Sequence, residues 1–509
     1  MSRTRHVLAA VGAALLLFLT LGAWSLSSPV GSSPDDDFHL ASIWCGQGER
    51  DGLCEAGSAE NTRLVPDKAV SAACFVGKPS ASAACQGSEF LDSGFTLVET
   101  ARLNSGSQYP PGYYLVASAF AGDNVALSTI GIRLFNSAIF SALFVATWVA
   151  LPRRFRFMLS ASVAVTFAPL AAFTIASVNP SSWSISAGFL TFPAILGFFA
   201  TTGRRKLALG ALGTVSALLA IASRGDSAAY TVVAILAAAV FSFKTTKEFW
   251  LTFLTVPQVL LVLSIAAFFL TGQTGLALSG DMGDGSLTAS GVEIDEVPPT
   301  ADILTILNLL SLPALWTGVF GNNWGIGWLD TSLPAVVPAA GMFLFAGLIF
   351  LATAYLTWRK VLALLGIGFA AVAVPTIILV QAYSLVGSHV QPRYILPLIS
   401  MFLAAALAPS LDTSGTWKAL PSLGLTQLCV VALGAVGANA ISLFSNLRRY
   451  VTDGSYYLDT QTAWWWVTGP SPFGVLAVGS LAFALLMTLF VLAHRAPTGT
   501  PPRIDAHAP

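Results

Sequence analysis

Charge is what this sequence has least of. Only 10% of its 509 residues are Asp, Glu, Lys or Arg, against about 25% in an ordinary soluble domain. Hydrophobic residues make up 55%, and the mean hydropathy is +0.73. That scarcity excludes a soluble enzyme, a disordered chain and a nucleic-acid binder. Charge is scarcer still inside the apolar runs. Intramembrane ionisable groups usually mark ion and proton pathways, and Arg133, near the outer end of its run, is the main one here. No internal repeat of the kind inverted-repeat transporters often carry is visible. What remains is a succession of apolar runs of about 20 residues, the length a membrane-spanning helix requires.

Twelve such runs can be marked, at about 7–27, 125–150, 158–177, 184–201, 207–222, 226–243, 249–270, 335–357, 361–383, 394–409, 420–441 and 474–494. The net charge of zero hides a separation across them. One side holds 15 of the 25 basic residues with only Glu248, Asp412 and Asp505 as acids. The other side carries the mirror-image surplus of acid. Short basic loops mark the cytoplasmic side, so both termini are expected inside and the long acidic loops outside. The reading is an all-α polytopic membrane protein. Its parts are a first transmembrane helix (1–27), a first extracytoplasmic segment (28–124) and a six-span bundle (125–270). A second extracytoplasmic segment (271–334), a five-span bundle (335–494) and a cytoplasmic tail (495–509) follow. Ala23-Trp24-Ser25 would also suit signal-peptide cleavage, but retaining the first helix keeps the charge alternation consistent.

Cysteine is also sparse, at five. Four of them, Cys45, Cys54, Cys74 and Cys85, share the first outer segment. In an oxidising compartment they suit two disulfides, with three connectivities open; pairing of neighbours would staple each end of the segment. Cys429 lies within a span.

The unusual polar residues gather at the outer surface. Asp35-Asp36-Asp37-Phe38-His39 follows the first span. Three adjacent carboxylates raise one another's pKa when partly buried. One could act as general base toward a hydroxyl, or the run could hold a divalent cation, Mg or Mn. The plainer alternative is a solvated acidic turn. Gln391-Pro392-Arg393-Tyr394 precedes the tenth span, and the Arg393 fork suits phosphate, as does snorkelling to headgroups. Arg448-Arg449 is an outer basic pair open to the same two readings. Trp464-Trp465-Trp466 is expected to form an aromatic belt, and Asn179-Pro180 a tight turn. Asp330, between bulky apolar groups near Trp328, is costly to place without a role.

In this order the motifs resemble one family, the multi-pass bacterial membrane proteins of domain-of-unknown-function family 2142, similar in plan to GT-C membrane glycosyltransferases. Pro34-Asp35-Asp36-Asp37-Phe38-His39 resembles the family's Pro-Asp-Glu-Pro-x-His. Tyr109-Pro110-Pro111-Gly112-Tyr113-Tyr114 resembles His-Pro-Pro-x-Tyr-Tyr, with Gln108 or Tyr109 where the family often has His. Val178-Asn179-Pro180 matches an Asn-Pro turn. Gly327-Trp328-Leu329-Asp330-Thr331-Ser332-Leu333-Pro334 matches Gly-Trp-Leu-Asp-Thr-x-Leu-Pro, and Gln391 to Leu398 resembles Gln-Gly-Arg-Tyr-x-Leu-Pro-Leu.

The resemblance implies a GT-C-like fold in the bacterial cytoplasmic membrane. It implies transfer of a sugar from a polyprenyl-phosphate donor to an envelope glycan or lipid. By it, Asp35 or Asp36 takes the acceptor proton. His39, Arg393, Tyr394, Arg448, Arg449, Asp330 and Trp328 are the expected substrate- and phosphate-binding residues. Membrane lipid is an expected partner and nucleic acid is not. A transporter or flippase of envelope precursors and a non-catalytic membrane scaffold are the alternatives. An outer pocket holding Asp35 or Asp36 together with Arg393 favours the enzyme over the scaffold.

Overall fold

The computed structural model describes residues 3–87, 90, 94–106, 108–272, 300–388, 390–412, 415–418, 423–452, 458, 464–466 and 469–495. The acidic, Gly- and Ser-rich stretch to residue 299, Tyr456-Tyr457 and the Pro-rich tail from residue 496 lie outside these. Helix α1 (Arg3–Leu26) leads into a cap made of α2 (Asp36–Trp44), α3 (Asp67–Ser71), α4 (Gly112–Ala117) and a small antiparallel sheet. In that sheet β2 (Arg63–Pro66) pairs with β1 (Glu55–Ala56) and β3 (Leu97–Thr100). The bundle continues as α5 (Val125–Ala150), α6 (Arg153–Thr166), α7 (Ala172–Ile175), α8 (Ser181–Phe199), α9 (Gly203–Ser223) and α10 (Gly225–Ser242). Then come α11 (Lys247–Phe253), α12 (Val256–Leu270), α13 (Ala301–Gly318), α14 (Val336–Thr353) and α15 (Trp358–Gln381). The last three are α16 (Pro392–Leu407), α17 (Leu425–Val451) and α18 (Pro472–His494). The sheet is the one departure from the all-α expectation on the cap side; its strands are too short to show an alternating pattern.

Eleven helices are long and apolar enough to cross a membrane by length and composition, or twelve if the bent pair α11 and α12 is one span. The number agrees with the sequence; the membership differs. Helix α13, expected as part of a surface segment, passes the test, whereas α16, counted as the tenth span, has 16 residues and does not. Side-chain contacts show why. Near the start of α13, Asn308 donates to Ser384 O and accepts from Val386 N, both 2.9 Å, just beyond the end of α15. Near its end, Trp316 donates to Ala371 O in the middle of α15. The chain then returns to the cap, where Trp328 donates to Gly31 O at 2.8 Å. So α13 runs along part of α15, and the chain that follows it lies at the cap.

Helix α16 joins both ends of the bundle despite its length. It starts at the cap, and past its end Arg359 at the start of α15 donates to Leu411 O at 3.0 Å. Sixteen residues reach about 24 Å, short of the roughly 30 Å hydrocarbon layer. Arg393, in its first turn, is therefore recessed relative to the ends of longer neighbours. The α6–α7 span and α8 are almost wholly enclosed by other helices. Gly188 on α8 lets Pro397 of α16 approach so closely that an added Cβ would lie 2.5 Å from the Pro397 Cβ. That contact sets the position of Arg393 over the core.

Neighbouring cysteines pair, as Cys45–Cys54 and Cys74–Cys85, and Cys429 is free. Non-reducing peptide mapping is therefore expected to return those two linkages, with Cys429 alone alkylated in unfolded, unreduced protein. Reduction is expected to lower stability by roughly 2–4 kcal/mol per bridge. A Cys54–Cys74 linkage would contradict the cap as described.

Candidate active site in the recess beneath the cap

The site hangs from the segment between α1 and α2. Backbone carbonyls removed from water need donors, and here every carbonyl from Ser25 to Pro34 has one. Arg133, on α5, donates to Ser25 O, Ser28 O and Pro29 O at 3.1, 2.6 and 2.8 Å, and to Ser32 Oγ at 3.1 Å. Trp466 serves Leu26 O, Asn446 serves Ser27 O, Gln86 serves Val30 O and Trp328 serves Gly31 O. Tyr450 reaches Ser32 O at 3.4 Å, the Asp36 amide takes Ser33 O, and Asn179 donates to Pro34 O at 3.1 Å. The Asn179-Pro180 turn is thus also a clamp. Trp465 and Trp466 are buried rather than belted around the rim, because Trp466 is one of these donors.

At the end of the clamped segment Asp35 adopts a left-handed backbone, φ 63°. Asp tolerates this region better than most residues, still at a cost. The turn sends successive carboxylates different ways. Asp36 is fully buried, accepts from Ser33 N (3.1 Å) and Ser33 Oγ (2.5 Å), and lies 4.0 Å from Arg133. Burial pushes its carboxyl up to about 7, against the opposing pull of Arg133 and Ser33. Asp36 therefore belongs to the clamp and faces no open space.

Asp35 stays 36% exposed at its side chain and lies between two guanidinium groups. Arg393 meets one oxygen at 3.1 Å and Arg102 the other at 3.2 Å. Burial acts to raise its carboxyl, but the Arg393 and Arg102 guanidiniums outweigh that and hold it below the ordinary value. Arg102 also binds Asp37 through two donors. Arg393 is 4% exposed, and its Nη2 donates to both Asp35 and Tyr394 Oη (3.0 Å). Its Nε and Nη1 are buried with no hydrogen-bond partner. Arg393 also lines a small pocket with Pro34, Trp324, Gly327, Leu329 and Gln391, whose Oε1 is likewise buried and unpartnered.

His39 Nδ1 and Tyr114 Oη are 2.9 Å apart. Burial drives the imidazole down to about 3, so it is neutral at physiological pH. Arg224, between α9 and α10, binds Asp226 through two bonds of 2.9 Å and lays its guanidinium 4.1 Å from the Tyr394 ring. Four stretches distant in sequence thus meet at one place: Asp35/His39, Arg102/Tyr109/Tyr114, Arg224/Asp226 and Arg393/Tyr394.

Of the residues singled out by sequence, Asp35, His39, Arg393 and Tyr394 come together. Asp330, Arg449 and Trp328 form a separate group. Arg449 donates to Asp330 (3.0 Å) and to Phe75 O, Lys78 O and Ala81 O, which lie within the Cys74–Cys85 loop. It holds that loop to the Trp324–Asp330 stretch; Arg448, before it, is half-buried. Sequence reasoning missed Arg102, which no motif marks. Arg224 and Asp226 were likewise not joined to the site; two opposite charges in so short a turn between apolar runs were the available signal.

A divalent cation does not fit the Asp35–Asp37 run. Asp36 faces away, and Arg102 binds both Asp35 and Asp37. No group of three His, Cys, Asp or Glu side chains converges among the described residues.

These features define a helical membrane protein with a cluster of paired charges and aromatic side chains at the capped end. A family model described as "Predicted membrane protein (DUF2142)" matches residues 17–402, and the chain belongs to that family. Among solved structures it is similar to the crystal structure of ArnT from Cupriavidus metallidurans bound to undecaprenyl phosphate. Identity is 14%, with 97% of this chain and 78% of that one covered and a TM-score of 0.43. The search of curated proteins returned no match.

The clamp predicts unequal costs. Arg133→Met strips several carbonyls of their donor and is expected to cost roughly 3–5 kcal/mol. Asp36→Asn keeps an acceptor for Ser33 and should cost no more than about 1 kcal/mol near pH 5. The folded protein holds the Asp36 proton up to about pH 7, whereas an unfolded chain releases it near 3.8. The penalty of ionising it sets in above about pH 4 and is complete above 7. Asn should therefore improve relative to the parent between pH 5 and pH 8 in thermal unfolding. Equal costs for the two variants, or no pH trend, would contradict this.

Proposed function

We propose that this protein is a membrane glycosyltransferase that moves a sugar from a polyprenyl-phosphate donor to a hydroxyl of an envelope glycan or lipid, on the extracytoplasmic face of the bacterial cytoplasmic membrane. The observation that carries the reading is the Asp35–Arg393 contact, a part-exposed carboxylate on a buried guanidinium with two donors still unpartnered. The two disulfides support an oxidising compartment for the cap, and the basic loops support a cytoplasmic location for the opposite end and both termini. The recess of Arg393 suits a phosphate on a lipid that approaches from within the bilayer.

In the reaction the acceptor oxygen forms a bond to the anomeric carbon, its proton passes to an Asp35 oxygen, and the bond from that carbon to the phosphate oxygen breaks. The electron pair leaves with the lipid phosphate, whose added charge falls on Arg393 Nε and Nη1. Donors preorganised at the position where charge develops are usually the largest single contribution to such a step. A phosphate on Arg393 would also draw that guanidinium from Asp35, leaving the carboxylate a better base. Arg102 and Arg224 orient Asp35 and Tyr394. Neutral His39 can hydrogen-bond a sugar hydroxyl without adding charge. A transport reading would give a buried charge a role in a pathway. The deepest candidate, Arg133, is instead occupied by backbone carbonyls.

Purified protein offered radiolabelled polyprenyl-phosphate sugars, with envelope extract as acceptor, should transfer label. Asp35→Asn is expected to lower the rate at least about 100-fold, and Arg393→Gln about 10²- to 10³-fold, with unchanged gel-filtration profiles. Full activity in Asp35→Asn would overturn the assignment. The pH–rate profile should show no inflection near 6.5 from His39; one that disappears in His39→Gln would contradict its neutral role.

A further inference from the structure

A second site lies at the other end of α10. That helix begins beside Asp226 in the recess and ends at Phe243, where the chain turns into the short α11. The bend of 42° between α11 and α12 leaves α11 at an angle to the bundle. Between α10, α11 and α15 opens an apolar groove of about 640 Å³, bounded by Leu236, Phe243, Trp250, Phe253, Trp358 and Gly366. The space over Gly366 is open: a Cβ added there meets nothing within 4 Å.

The mouth of the groove is basic. Lys244 and Lys247 are exposed on the turn that carries Phe243 and Trp250. Lys206 donates to Thr252 Oγ1 on α11 at 2.9 Å. Arg359 donates to Phe243 O at 3.0 Å, lies 5.0 Å from the Trp358 ring, and keeps a buried Nε without a partner. Glu248 is the one acid of this turn. Trp250 and Trp358 are about half exposed, at 49% and 56%, as amphipathic rings at a membrane interface are. A tail-sized apolar slot under several cations is complementary to one kind of molecule, a lipid whose headgroup is an anionic phosphate.

We infer that the α10–α11–α15 groove is a binding site for an anionic phospholipid, with one acyl chain between Leu236 and Gly366 and the headgroup phosphate held by Lys244 and Lys247. The site is separate from the recess and independent of the transfer reaction. The lipid wedges α11 against α10 and α15.

Native mass spectrometry tests this on the full chain, with phosphatidylglycerol and phosphatidylcholine of identical acyl chains supplied in equal amounts. The wild type is expected to retain one phosphatidylglycerol in preference to phosphatidylcholine. Lys244→Gln/Lys247→Gln, two surface changes, should reduce that preference roughly thirtyfold. Gly366→Leu fills the slot and should abolish retention of both lipids. Equal retention of the two lipids by the wild type, or an undiminished preference in the double lysine variant, would overturn the proposal. So would undiminished retention in Gly366→Leu. The lysine variant keeps the test decisive even where Gly366→Leu unfolds.

Discussion

The rest of the recess depends on hydrogen bonding to ten consecutive backbone carbonyls, Ser25 to Pro34. The end of a helix and the irregular chain that follows it, enclosed by a helical bundle, are unstable unless each of their polar groups finds a partner. Side chains from α5, α17, the cap, the Trp324–Asp330 stretch and the Trp464–Trp466 run supply those partners. Arg133 serves three of the ten, more than any other residue. A guanidinium suits this task because its donors lie in one plane and remain charged when buried. The outcome is a rigid lead into Asp35, which can then be held in a left-handed backbone that an unsupported loop would relax.

From that anchor the electrostatics follow. Asp36 turns into the clamp, where burial favours its protonated form. Asp35 turns out, toward Arg393 and Arg102, which favour its ionised form. Two adjacent carboxyls are thereby driven in opposite directions by their surroundings, one structural and one available for chemistry. Arg393 has more donors than its protein partners use. A buried guanidinium in that condition is costly, and an incoming phosphate would relieve the cost.

Much of this was legible in the chain. The apolar runs marked the spans, the four cysteines of the first outer segment marked two bridges but not their pairing, and Asp35 and Arg393 stood out as polar residues at span ends. Other features were not. Length did not show that α13 packs along α15 rather than lying in a surface segment, nor that the short α16 joins both ends of the bundle; contacts decide that. Which of three adjacent aspartates faces a pocket depends on one backbone angle, at Asp35. Arg102 has no motif, and its role comes from the cap folding over the recess. Trp328, Asn179 and Trp466 read as ligand-binding, turn and belt residues, yet all three donate to carbonyls far away in sequence, a relationship that only the tertiary structure displays.

The most direct test is a structure of the protein with a polyprenyl phosphate bound. The account predicts phosphate oxygens within hydrogen-bond distance of Arg393 Nε and Nη1, with the Asp35–Arg393 contact lengthened and the carbonyl clamp from Ser25 to Pro34 unchanged. A phosphate seated elsewhere, with Arg393 still bonded only to Asp35 and Tyr394, would contradict it.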